Sequence, residues 1–166
     1  MTAVLGGFVQ FFIPTHLLAV VALGLLVGQG AGITIAVGAF VLGLAAGSFV
    51  VASAIREMPA SIALLILASI TATLVVIGLK VPSLVGAASA LAMGLALPLN
   101  APPHEITIPA AIAAQLGFAV AVLVTFGATM AIAMNATRPW QRIGIRIVCS
   151  WIAASAILVL ALRLAR

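Results

Sequence analysis

The chain has 166 residues, of which 66% are hydrophobic and 5% charged, with seven Lys or Arg against two Asp or Glu and a formal charge of +5. A soluble domain carries roughly a quarter charged residues, so these charges are too few to build a water-facing surface. Nucleic acid is not the expected partner of the excess positive charge, because that needs a basic patch on a soluble fold.

Arg56, Lys80, Arg138, Arg142, Arg163 and Arg166 stand instead at the ends of apolar runs, where cationic heads reach lipid headgroups. A bilayer interior offers no water to backbone groups, so the runs must be helices. The sequence therefore predicts an all-α, polytopic transmembrane bundle of about six spans, one integral membrane domain over residues 1–166 with the lipid bilayer as solvent.

The first run covers residues 8–27. The stretch before it has no Lys or Arg, unlike the start of a cleavable signal, so the run is expected to be a retained helix. Gly28, Gly30 and Gly32 supply a turn. A second run, 33–54, stops at Arg56-Glu57-Met58-Pro59, where charge and proline both end the pattern. A third, 61–79, closes at Lys80-Val81-Pro82. The fourth, 83–97, is short for a crossing and is bracketed by Pro82 and Pro98. The longest polar connection, 100–105, follows it. The fifth run is 109–134, residues 135–142 form a basic loop, and the sixth run is 143–162.

Small residues recur every four positions: Gly24 and Gly28, then Ala39, Gly43 and Gly47, then Gly86, Ala90 and Gly94, then Ala113, Gly117 and Ala121. Such stripes let helix backbones approach closely. With six spans both termini share a side holding Arg56, Arg163 and Arg166, while Lys80, Arg138, Arg142 and Arg146 lie opposite. The larger group is expected in the cytoplasm.

His16 is the one ionisable side chain well inside a predicted span, apart from Arg146 near the start of the sixth. Such a group faces the protein interior or a water-filled cavity by default. It shares a helical face with Ala19, Val20, Leu23 and Gly24, which favours a neighbouring helix over lipid. Two roles suit it: a hydrogen-bonded structural link, or a ligand for a transition metal or a proton-relay group.

His104-Glu105 pairs imidazole with carboxylate, a combination that recruits divalent cations or simply sits solvated in a loop. Met93, Met130 and Met134 offer thioethers to a soft metal, or fill core space. Arg138, Arg142 and Arg146 repeat at four-residue spacing, which suits lipid headgroups, by binding anionic lipid or by snorkelling to the interface. Cys149 has no partner for an internal disulfide. With two carboxylates and two histidines in the chain no enzyme constellation assembles, and none is expected.

The segment His16-Leu17-Leu18-Ala19-Val20-Val21-Ala22-Leu23-Gly24-Leu25 resembles the first-span signature of the HupE/UreJ family of nickel and cobalt permeases. The likeness continues through Gly43 to Gly47, Lys80-Val81-Pro82, Leu116-Gly117-Phe118 and the basic lead into the sixth run, covering nearly the whole chain. The family's first motif, HPxxGxDH, falls on Val9 to His16, and only the final histidine is kept. Its second, HGxAHGxE, best matches Met93 to Asn100, keeping Gly94 and Ala96 but none of the histidines or the glutamate.

The resemblance implies a membrane permease frame and a transported divalent transition metal, nickel or cobalt, with His16, Met93, His104 and Glu105 as its contacts in this chain. The missing ligands imply the alternative, a non-transporting accessory or structural subunit of a larger membrane complex. Partners under either reading are other membrane subunits or further copies of the chain, and the implied location is a bacterial inner membrane.

Overall fold

A computed structural model of the protein describes residues 2–30, 32–53, 61–78, 81–101 and 107–165. All its regular elements are helices: α1 (Thr2–Phe11), α2 (Pro14–Gln29), α3 (Ile33–Ser53), α4 (Ser61–Ile77), α5 (Ser83–Leu99), α6 (Ile108–Met134) and α7 (Pro139–Leu164). The architecture is a helical bundle of an integral membrane protein. Three helices, α3, α6 and α7, are long and apolar enough to cross a membrane, and a fourth crossing exists if α1 and α2 are taken as one bent span. At 17 residues each, α4 and α5 measure about 25 Å, short of a hydrocarbon core of roughly 30 Å.

The first span departs from expectation. Instead of one helix over 8–27, the chain forms α1, breaks at Phe12-Ile13, and resumes at Pro14 with its direction turned by 68°. Proline is the cause. In a continuous helix its ring would clash with the carbonyl four residues back, that of Gln10, and its missing N–H would leave that carbonyl unbonded. Ile13, forced to extended geometry by the proline after it, has φ −59° and ψ 128°. As the first residue of α2, Pro14 loses nothing, since the N–H there is an orphan in any helix.

The basic loop is also shorter than expected, because α7 begins at Pro139 and takes in Arg142. At the other proline, α5 continues through Pro98 to Leu99 rather than stopping before it. The Arg56–Pro59 stop and Lys80 lie outside the described residues.

Helix α2 is apolar all round, and a helix of that kind belongs in an interior. No residue from 15 to 28 is exposed. It packs chiefly on α6 and α4, while α3 pairs with α5, α1 with α6 and α4 with α7. One core gathers Phe11, Leu23, Phe40, Leu64, Met93 and Phe118; a second, toward the α4–α7 pair, gathers Leu25, Val75, Ile145 and Cys149.

The small-residue stripes set these distances. A Cβ on Gly43 would stand 2.5 Å from the Leu91 carbonyl oxygen, and one on Gly94 would stand 2.5 Å from that of Phe40, so α3 and α5 touch backbone to backbone. Gly24 and Gly28 meet α6 at Thr129 and Met130, and Gly117 meets α1 at Val4. Gly86 is different, with nothing within 4 Å of where its Cβ would be.

Cys149 is fully buried. A thiol closed off in this way reacts only when the structure opens. We expect a maleimide to label it more than about tenfold more slowly in the native detergent-solubilised protein than after denaturation; equal rates would contradict the packing of α7 against α4.

Candidate functional site

The break between α1 and α2 leaves the last carbonyls of α1 without helical partners. Two groups answer the Gln10 carbonyl: the Ile13 N–H at 3.4 Å and the ring Nδ1 of His16 at 3.4 Å. His16, in the first turn of α2, therefore reaches back over the break. Its other nitrogen, Nε2, lies 2.9 Å from Asn100 Nδ2. A carbonyl can only accept, so Nδ1 carries the hydrogen and Nε2 accepts from the Asn100 amide.

Asn100 is the residue at which α5 ends, two positions after Pro98. One imidazole thus joins three helix ends: the close of α1, the opening of α2 and the close of α5. The ring is fully buried. Phe118 of α6 meets it edge to face at 5.5 Å, and Phe11 meets Phe118 in a similar way at 6.1 Å. Among the described residues every buried side-chain nitrogen or oxygen has a hydrogen-bond partner, so the polar cluster is satisfied within its apolar surroundings.

This geometry limits what His16 does as it stands. The lone pair a metal ion would take is the one that accepts the Asn100 hydrogen. Coordination at Nε2 requires the amide to swing aside. Met93 is buried in the main core on the same face of α5, two turns or about 10 Å along the helix before Asn100. His104 and Glu105 lie outside the described residues. Among the described residues no three His, Cys, Asp or Glu side chains come close enough to hold a metal.

The arginines form a separate feature. Arg142 and Arg146 line a surface groove with Thr137, Pro139 and Ile143 at the start of α7. Arg138 is exposed beside it and serves as the N-cap of α7, its backbone N–H donating to the Gln141 side-chain oxygen at 2.9 Å.

Asn100 is neither ionisable nor a thioether, so it stands outside the set of His16, Met93, His104 and Glu105 expected from the sequence. Its signal is that of a polar residue closing an apolar run. A second buried polar link, Gln115 Nε2 to Ser48 Oγ at 3.4 Å, joins α6 to α3. The chain matches no family model, no curated protein and no solved structure.

Proposed function

We propose that this chain is a membrane permease of HupE/UreJ-like construction, with His16 and Asn100 as its polar centre and a divalent transition metal, nickel or cobalt, as its cargo. One observation carries the reading. In the motif comparison His16 closes the first pattern and Asn100 closes the second, 84 positions later, and the two side chains meet at 2.9 Å. If the two segments descend from transport motifs, their closing residues belong in one site, and the contact between them supports that reading.

The broken helix supports the same reading, because interrupted membrane helices bring backbone ends and polar side chains to the place where transporters bind their substrates. His104 and Glu105, in the connection that follows Asn100, are the further contacts under this proposal, whereas Met93, about 10 Å back along α5, lies too far to share the ion with Asn100. A bacterial inner membrane is the location it assigns, since the protein is a helical bundle rather than the closed barrel of outer membranes.

A second reading, a non-transporting accessory subunit, is favoured by the occupation of both His16 nitrogens by hydrogen bonds. Proteoliposomes distinguish the two. Under the first reading vesicles bearing the wild type take up radioactive nickel or cobalt well above empty vesicles, and His16→Ala falls to the empty-vesicle level. Uptake that never rises above that level in the wild type removes the permease reading and leaves the accessory one.

A further inference from the structure

Helices α4 and α7 run antiparallel, and their two ends are marked by arginines. At one end the Arg163 guanidinium donates to Ser61 Oγ at 2.6 Å. At the other, a Cβ on Gly78 would collide with the Arg146 guanidinium, so that group lies directly over the end of α4. Gly78 has φ +69°, a left-handed conformation that glycine adopts freely, and it turns the chain away there and leaves the space.

From Arg142 to Arg163 the helix rises about 32 Å, close to the roughly 30 Å of a hydrocarbon core. Arg146 lies one turn inside that slab, from where an arginine stem carries its charged head to the interface. Arg142 marks the boundary itself, at the headgroup layer. Trp140, 64% exposed, stands at the same level, where amphipathic rings collect. Below it Ile143 and Ile147 present exposed apolar side chains along the helix.

These guanidiniums have no counter-ion within the described structure, which contains no Asp or Glu. Arg142 uses Nε on the Ala136 carbonyl at 3.2 Å, which fixes the side chain and leaves its two terminal nitrogens free to donate. Between Arg142 and Arg146 lies the groove of about 240 Å³ that Thr137 and Ile143 complete. Two guanidiniums that reach the headgroup layer, one of them fixed by a backbone carbonyl, a hydroxyl-bearing residue and an apolar wall running down from them match a phosphodiester with acyl chains attached.

We propose that this groove binds one anionic phospholipid, its phosphate held by Arg142 and Arg146 and its chains lying along Ile143 and Ile147. Arg138, which caps the helix and does not line the groove, takes no part in it.

The test is native mass spectrometry of the full chain in neutral detergent, titrated with phosphatidylglycerol or phosphatidylcholine. Each arginine near an anionic headgroup contributes about fivefold, so with two of them phosphatidylglycerol is expected to be retained about 25-fold more strongly than phosphatidylcholine. R142Q/R146Q brings the two lipids to parity, and R138Q keeps the preference. Equal retention of both lipids by the wild type overturns the proposal, as does an undiminished preference in R142Q/R146Q. Loss of the preference in R138Q to the same degree would mean diffuse surface charge, and displacement by equimolar inorganic phosphate would mean a site for free anions; either overturns it. Protection of Cys149 from maleimide verifies that each variant is folded. Should the double variant expose it, R142Q and R146Q singly decide, each expected to lose about fivefold.

Discussion

Gly43→Leu is expected to destabilise the bundle by about 3 kcal/mol, the upper end of the usual cost of overpacking. The atoms its side chain would meet are the Leu91 carbonyl oxygen and the backbone of Gly94 and Leu95. Backbone of a packed helix does not rotate out of the way as a side-chain tip does, so α3 and α5 must separate along their whole crossing. Gly86→Leu provides the comparison, because that position is open, and its effect should stay within about 0.5 kcal/mol. Unfolding in increasing dodecyl sulfate, followed by maleimide labelling of Cys149, measures both. Equal midpoints for the two variants would show that the glycines of α3 do not set the contact with α5.

His16→Ala carries the second large effect, about 3 kcal/mol. Three losses combine in it: the space of a buried ring, one of the two donors to the Gln10 carbonyl and the partner of the Asn100 amide. Asn100→Ala removes only one hydrogen bond at a half-buried side chain, and should cost about 1 kcal/mol. Because the two side chains share one bond, the double variant should fall short of the sum of the singles by about 1 kcal/mol. Strict additivity in the same titration would mean that the imidazole and the amide are not coupled, and would undo the description of three helix ends tied at one ring.

The fold was largely legible from composition and from the lengths of the apolar runs. Charge scarcity excluded a soluble domain, and the punctuation at Gly28–Gly32, Pro82 and Pro139 lies where helices begin or end. What the pattern did not convey was Pro14. Hydropathy is insensitive to a break inside an apolar run, since Phe12 and Ile13 are as apolar as the helices they separate; only the loss of an N–H and the clash with the Gln10 carbonyl reveal it. Pro98 shows the converse. One residue from the end of α5, a proline costs the helix a single bond, to the Gly94 carbonyl, and leaves almost no helix beyond it to be bent away, so the helix runs through to Leu99.

The site was half legible. His16 stood out because an ionisable group in an apolar run needs a partner, and its helical face correctly pointed inward. Asn100 was harder to find because its partner lies 84 positions away, and an amide at the end of an apolar run has the same local pattern whether it caps a helix, faces water or reaches across the bundle. The four-residue spacing of the arginines put them together at the start of the last apolar run. Which of them share a groove depended on where α7 starts, and that start, at Pro139, makes Arg138 a cap and puts Arg142 and Arg146 on one wall.

The enclosure of α2 changes what its sequence is selected for. A lipid-facing helix need only be apolar, since acyl chains rearrange around any side chain presented to them. From residue 15 to residue 28 this helix meets neighbours of fixed shape instead, so each position answers to volume as well as to polarity, as in the middle of a water-soluble protein. Its surroundings also come from segments made later in the chain, α4 and α6 above all. During synthesis α2 therefore enters the membrane before the walls of its own cavity exist, and it exchanges lipid for protein only when the rest of the bundle closes around it.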